Sequence, residues 1–314
     1  MNPLTGLYGA ATALRNTLFD RSVLPSRRLE KPVVSVGNLS VGGSGKTPFV
    51  IALGELLKAR GIRFDVLSRG YGRKTRGVRI VETDGNAADF GDEPLQIARR
   101  LGVPVILGES RYEAGQVAEL KFQPQLHILD DGFQHRSLAR DFDIVLMTEH
   151  DFDDRLLPSG RLREPLSSLA RADAVVLPAG LAVDHPALQQ KAIWQIEREL
   201  VLPNLPSAPV VFCGIARPEQ FFAQVRAAGI TPAAEVVFRD HHAYDLDDIQ
   251  ALVSARIKLN AGGFLTTEKD AINLASEQHR LHPLVVGQLK LTLDHPAEAV
   301  DTILARIAER RPRS

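Results

Sequence analysis

The sequence predicts an α/β protein: a parallel sheet flanked by helices, with a second, smaller α/β domain and an amphipathic helix at the N-terminus. Three observations predict it. Short β-branched runs alternate with helix-period segments through most of the 314 residues. One run, Val33 to Val36, ends in a glycine-rich loop that opens a helix. A proline-rich break, Leu202-Pro203-Asn204-Leu205-Pro206, splits the alternation into a longer and a shorter part. The expected units are therefore an N-terminal helix in 1–30, a core domain in 31–201 and a second domain in 202–314. The closing helix is free to pack back on the core.

Residues 4–19 are amphipathic if helical. Leu4, Leu7, Tyr8, Ala11, Leu14 and Leu18 share one face; Thr5, Gly9, Thr12 and Asn16 fall opposite. No charge precedes Arg15, so a signal peptide's basic start is missing. Five basic residues (Arg15, Arg21, Arg27, Arg28, Lys31) face two acidic ones (Asp20, Glu30), a local net of +3. An apolar face beside basic residues suits an anionic membrane surface, and it equally suits packing on the chain's own core.

The glycine-rich stretch carries the chemistry. Val33-Val34-Ser35-Val36 reads as a buried strand, and Pro48-Phe49-Val50 opens a helix with Leu53, Leu56 and Leu57 at helix spacing. Between them lies Ser40-Val41-Gly42-Gly43-Ser44-Gly45-Lys46-Thr47. Strand, loop, Gly-Lys-Thr and helix in this order are the context of a phosphate-binding P-loop, so the core reads as P-loop NTPase-like. Glycines let several N–H groups turn toward one anion, and the helix N-terminus adds partial positive charge. Lys46 is expected to reach the β/γ-phosphates and the Thr47 hydroxyl to ligate Mg²⁺. The usual motif begins with Gly; here that position is Ser40. The alternative is an ordinary Gly-rich turn that happens to carry a lysine, and the register of strand, loop and helix argues against it.

Phe64 to Leu67 is the next strand, and it ends in Ser68-Arg69-Gly70-Tyr71-Gly72-Arg73. Arginines just past a strand's C-terminal end suit an anion-facing loop, or a solvated turn. Gly91-Asp92-Glu93-Pro94 opens a helix to about Leu101, and spacing alone favours Asp92 or Glu93 as an N-cap over a catalytic carboxylate. Leu126 to Leu129 is a strand ending in Asp130-Asp131, the acidic end that a P-loop enzyme uses to hold Mg²⁺. Gln134 and His135 follow beside the same site. Strands are expected at 142–146 and 174–177, with the loop 157–165 between them carrying Arg161 and Arg163. Beyond the break, strands at 210–212, 236–238, 263–266 and 284–286 alternate with helices at 218–228, 245–258 and 296–310. The adjacent His241 and His242 lack a second ligand pair, which disfavours a histidine metal site.

Composition narrows the classes. Apolar content of 44% is that of a globular core. Zero formal net charge argues against a nucleic-acid binder held by a basic surface. The single cysteine, Cys213, excludes an intramolecular disulfide and a thiolate zinc site. No apolar run approaches the ~20 residues that span a bilayer.

Together these pieces resemble the tetraacyldisaccharide 4'-kinase family of lipid A biosynthesis. The resemblance rests on the ordered set 35–48, Leu-Ser-Arg-Gly-Tyr-Gly-Arg at 67–73, Gly-Asp-Glu-Pro at 91–94 and Leu-Asp-Asp-Gly-Phe-Gln-His at 129–135. Asp-His at 240–241 and Thr-Glu-Lys-Asp at 267–270 complete it. The family resembles P-loop proteins lacking the first glycine, which accommodates Ser40. The resemblance implies two α/β domains with a cleft between them, peripheral attachment to the cytoplasmic face of the inner membrane, and ATP and Mg²⁺ as cofactors. It implies transfer of the γ-phosphoryl group to the 4'-hydroxyl of an acylated glucosamine disaccharide 1-phosphate, giving lipid IVA. By the same likeness Asp92 is the base, paired with His241, and Asp130 and Asp131 lie near Mg²⁺. Lys46 and Thr47 keep their P-loop roles. Arg69, Arg73, Gln134, His135, Arg163 and Glu164 are the substrate-cleft residues.

Two other classes share part of this pattern. A membrane-associated P-loop ATPase switch carries a signature lysine just before its Gly-Gly pair, where this chain has Val41. A regulatory GTPase needs Asn-Lys-x-Asp and Asp-x-x-Gly, and neither is present.

Overall fold

Val33, Val34 and Val36 are fully buried because their strand lies inside a sheet covered on both faces. A computed structural model describes residues 2–203 and 205–311, so Asn204 of the proline-rich break lies outside the described residues. The first lobe begins with α1 (Pro3–Asp20), β1 (Val33–Asn38), α2 (Lys46–Ala59) and β2 (Phe64–Ser68). It continues through β3 (Arg79–Ile80), α3 (Ala87–Phe90), α4 (Asp92–Leu101), β4 (Val105–Leu107) and α5 (Arg111–Phe122). Four strands close it: β5 (Leu126–Asp130), β6 (Phe142–Leu146), β7 (Ala174–Pro178) and β8 (Ala192–Val201). The second lobe holds β9 (Val210–Cys213), α6 (Pro218–Ala227), β10 (Ala234–Val237) and α7 (Leu246–Lys258). It ends with β11 (Phe264–Thr267), α8 (Glu268–Leu274), β12 (Leu284–Leu293) and α9 (Pro296–Arg310).

Among the described residues twelve strands join one sheet, in the order β10-β9-β11-β12-β8-β7-β6-β1-β5-β2-β4-β3. Neighbours are parallel except for β3 with β4 and β8 with β12. The β8–β12 pair therefore carries the sheet from one lobe into the other. Helices α2 and α4 cover one face of the first lobe, where Phe49, Leu53, Leu95 and Ile97 pack together. Ala299, Val300 and Ile303 of α9 join that same cluster, so the closing helix returns to the first lobe. Phe212, Tyr244, Leu252 and Phe264 form a separate core in the second lobe.

Strand β8 is the longest strand that the sequence reading leaves out. Its burial alternates, and Glu197-Arg198-Glu199 breaks the apolar run by which strands were sought. The three-residue β4 and the helix α5 were missed as well. Helix α5 has apolar residues spread around its circumference, and Arg111 is among its buried ones.

Helix α1 sits with its polar face inward. Asn16 is buried and its Nδ2 donates to Glu164 Oε2 at 2.6 Å. Thr5 and Ser159 share a hydroxyl hydrogen bond of 2.6 Å. The Tyr8 hydroxyl donates to the Arg163 carbonyl at 3.0 Å. Leu7 and Leu14, on the apolar face, are 69% and 62% exposed. Of that face, Leu4, Leu7 and Leu14 are exposed, whereas Tyr8 and Leu18 are half-buried against the rest of the chain.

Candidate active site

The P-loop begins where β1 ends. Ser40 forms a β-bridge with Leu162, an extended conformation that any residue adopts, so no glycine is needed there. Gly42 and Gly45 do need the freedom of glycine, with φ of +94° and +86°. Gly45 caps α2 without any side-chain hydrogen bond, and the first turn of α2 holds no acidic residue. The amides of that turn are left for an incoming anion.

Asn38 organises the charges behind the loop. Its Nδ2 donates to the Ser40 carbonyl at 2.7 Å. Its Oδ1 accepts from Lys46 Nζ at 3.1 Å and also from Arg163 Nη2. Arg163 grips Asp131 with two donors, at 2.9 and 3.1 Å, and Lys46 Nζ lies 3.4 Å from the same carboxylate. Burial opposes ionisation of Asp131, but Lys46 and Arg163 win and hold it below the usual carboxylate range. Its side chain is 42% exposed, which limits the burial effect. Asp130 behaves oppositely. Burial, the charge of Glu93 and that of Asp131 push it up to about 7, despite Lys46 and a 3.0 Å hydrogen bond from Ser68.

A second constellation joins the two lobes. Gly91, with φ of +86°, is the N-cap of α4 and Asp92 its first residue. The N-cap reading of Asp92 is thus corrected: its Oδ1 accepts only the neighbouring Glu93 amide, at 2.9 Å. Its Oδ2 turns to the second lobe, where His241 Nδ1 lies at 2.9 Å and Asn273 Nδ2 at 3.2 Å. Burial would raise the Asp92 carboxyl, but His241, Lys269 and Asn273 together hold it below its ordinary value. The Tyr71 ring lies 5.5 Å from the His241 ring, centroid to centroid.

A cavity of about 850 Å³ connects the two constellations. It is lined by all of Ser40 to Thr47 and by Arg69, Asp130, Asp131, Gln134, His135, Arg163 and His241. Asp92, 4% exposed, lies just behind the wall at His241. Burial, with Arg111, Arg140, Arg15 and Arg69 nearby, pushes His135 down to about 4. Two expected cleft residues are elsewhere. Glu164, 1% exposed, is spent on Asn16 and Arg171 beneath α1. Arg73 donates to Glu109 and to the Gly77 carbonyl and does not reach the cavity.

The cavity also presents Glu93, read from the sequence only as a possible helix cap, and Arg111, Arg198, Arg217 and Lys269, which motif reading did not single out. Arg198 comes from the unrecognised β8 and donates to the Ser44 carbonyl at 3.0 Å. Lys269 stood inside a quoted motif, and that was its only signal. Among the described residues, no group of three or more His, Cys, Asp or Glu converges as a ready-made metal cage.

Three comparisons bear on this geometry. The family model described as LpxK, tetraacyldisaccharide-1-P 4'-kinase, matches residues 1–308. The tetraacyldisaccharide 4'-kinase of Koribacter versatilis is 50% identical over 321 aligned residues, covering 99% of each chain. That of Aquifex aeolicus is 40% identical over 289 residues, covering 87% of this chain and 88% of the other. A crystal structure of Aquifex aeolicus LpxK in complex with ATP superposes with a TM-score of 0.80 at 35% identity, covering 97% of both chains.

The opposed carboxylates are directly measurable. In a ¹³C NMR titration of labelled Asp carboxyls, Asp130 is expected to titrate near the value of about 7 set by its surroundings. Glu93→Gln removes a repelling charge and lowers that midpoint; Lys46→Ala removes an attracting one and raises it. An Asp130 midpoint in the ordinary carboxylate range contradicts this electrostatic account.

Proposed function

Because the chain belongs to the tetraacyldisaccharide-1-P 4'-kinase family, it moves the γ-phosphoryl group of ATP to the 4'-hydroxyl of that lipid disaccharide, and we propose that Asp92 accepts the proton the hydroxyl sheds. The product is lipid IVA, an intermediate of lipid A biosynthesis. One observation carries the assignment of the base: the Asp92–His241 pair stands at the wall of the same cavity that the P-loop lines.

A sugar hydroxyl is a poor nucleophile at neutral pH and loses its proton as it attacks phosphorus. The rest of the reaction needs mainly positioning and charge neutralisation. The open amides of Gly42 to Thr47 and the Lys46 ammonium suit the nucleotide's phosphates. Arg163, fixed by Asp131 and Asn38, keeps a further cation on the same wall. Asp92 stays ionised through the neutral range because its pKa is lowered, so it is ready as an acceptor. His241 orients it through Nδ1. Catalytic hydrogen bonds commonly tighten only once substrate is bound, which fits a base that is nearly buried in the free chain.

Mg²⁺ fits the oxygen donors of Thr47, Asp130 and Asp131. Burial and the charges of Glu93 and Asp131 push Asp130 up, and a bound cation would favour its ionised form. Mg²⁺ normally takes one or two carboxylates and leaves the remaining positions to phosphate and water, so the lack of a three-ligand cage is no obstacle. When bound, the ion neutralises charge on the transferring phosphoryl group.

The lipid partner also gives α1 a use. We infer a peripheral enzyme on the cytoplasmic face of the inner membrane, with Leu4, Leu7 and Leu14 turned to lipid. Among the described residues no helix is long and apolar enough to cross a membrane. The exposed leucines and the nearby basic residues support surface binding. We also propose 1–30, 31–201 and 202–314 as the domain division.

The activity is tested by incubating the protein with labelled ATP and the disaccharide 1-phosphate and looking for a bisphosphorylated lipid. Asp92→Asn is expected to lower kcat by about 10²–10⁴-fold, the usual contribution of a positioned base, with ATP affinity nearly unchanged. A near-normal kcat returns Asp92 to a structural role. For the membrane reading, Leu7→Glu with Leu14→Glu is expected to release the protein from anionic vesicles without lowering its melting temperature. Retained vesicle binding by that variant contradicts insertion of this face.

A further inference from the structure

Thr267-Glu268-Lys269-Asp270 has so far been given no part in the reaction, yet each side chain makes its own contact around the site. Thr267 caps α8, accepting from the Asp270 amide at 3.2 Å. Glu268 takes Arg100 at 2.8 Å and Gln96 at 3.1 Å, which ties α8 to α4. Asp270 is fully buried and accepts from the Gly214 amide at 2.7 Å and the Tyr244 hydroxyl at 2.8 Å. The Gly214 carbonyl in turn accepts from the His241 amide at 3.2 Å. These contacts hold His241 in a left-handed backbone conformation, φ +57°, that non-glycine residues rarely adopt. Strain of this kind at a cleft is what over-determined surroundings sustain.

Lys269 acts on the ring itself. Its Nζ lies 3.2 Å from His241 Nε2, 2.7 Å from Asp240 Oδ1 and 3.9 Å from Asp92 Oδ2. An ammonium group has donors only, so Nε2 must present its lone pair. The single ring proton is then on Nδ1, where it is donated to Asp92. We propose that Lys269 is a positioning residue for the phosphoryl transfer: by donating to Nε2 it holds His241 as the neutral Nδ1–H tautomer and so fixes the Asp92 carboxylate. This inference rests on the reading of Asp92 as the proton acceptor.

The groups facing His241 give the pH dependence its sign. Asp92 and Glu93 stand on α4, Asp240 precedes the histidine in its own loop, Lys269 stands on α8, and the Tyr71 ring comes from the loop after β2. The Asp92 hydrogen bond draws the ring above its ordinary value, with burial and Lys269 opposing. On acidification the ring gains an Nε2–H that cannot face the ammonium, so the Lys269 contact breaks as the pH falls through the His241 midpoint. Without Lys269 one of the two opposing effects is gone and that midpoint rises.

The test uses the full chain with ¹⁵N-labelled histidine, His241 being assigned by its disappearance in His241→Gln. Long-range ¹H–¹⁵N spectra of the wild type are expected to show the Nδ1–H tautomer at pH above the midpoint. The Nε2–H tautomer overturns the proposal, with no appeal to any variant. Lys269→Met is expected to lower kcat by about tenfold or more, as for a lost charged hydrogen bond, and to move the acid limb to higher pH. The KM for ATP is expected to stay within about twofold, since uniform binding is untouched. Lys269→Arg, which keeps the donor and the charge, is expected to restore part of the rate and the wild-type limb. A wild-type rate and pH profile in Lys269→Met overturns the proposal. A lower rate with the limb and tautomer unmoved does so too, because that is mere structural damage. Asp92→Asn measured beside it separates the two levels. Full activity there removes the acid–base reading itself, whereas its loss together with full activity in Lys269→Met removes Lys269 alone.

Discussion

The antiparallel pairing of β8 with β12 is the constraint on which the rest of the structure depends. Six residue pairs, from Gln288 with Val201 to Leu293 with Ile196, join two largely parallel arrays that share no strand. A parallel array grows by crossovers, so an antiparallel seam is where a second array can be attached without one. The seam also forms part of the cavity wall. Arg198 and Leu200 on β8, with Gly287 and Leu289 on β12, line it, and Arg198 reaches the P-loop backbone at Ser44. The two halves of the site are held in register by ordinary sheet hydrogen bonds.

Across that seam the chain distributes charge in two steps. Near the P-loop, adjacent carboxylates are driven apart, with Asp131 held ionised by Lys46 and Arg163 and Asp130 raised by burial and by Glu93. Neighbouring titratable groups with opposed shifts are a common mark of a functional site. At the other end, Asp92 from the first lobe meets three residues of the second: His241, Asn273 and Lys269. Neither lobe alone holds the base in this environment. In the proposed mechanism, phosphate binding thus belongs mainly to the first lobe, and tuning of the base to the second.

Much of this was legible in the sequence, and what was not has identifiable causes. The P-loop and the acidic strand end could be read because their chemistry is written in contiguous residues. Helix α4 was placed at its observed start, but spacing could not set Asp92 apart, since a carboxylate in a helix's first turn is common whatever it faces; only the family resemblance pointed to it as a base. Its partner lies 149 positions away. Strand β8 was hidden because an edge-to-edge seam with one wet face tolerates Glu197, Arg198 and Glu199. Helix α1 had an unmistakable apolar stripe, yet only coordinates show that Asn16 and Thr5, not the leucines, hold it to the protein. Arg73 and Glu164 read as cleft residues because arginine and glutamate beside a motif look alike whether they face a ligand or, as here, Glu109 and Gly77 in one case and Asn16 and Arg171 in the other.

The central claim is that Asp92 and His241, from different lobes, work as one acid–base unit. The most direct test is a double-mutant cycle on kcat with Asp92→Asn, His241→Ala and the combined variant. Groups acting as a unit lose their effect once either is gone. The account predicts that His241→Ala costs less than Asp92→Asn and that the double variant is about as slow as Asp92→Asn alone. Losses that multiply would contradict the pairing and make the two residues independent contributors.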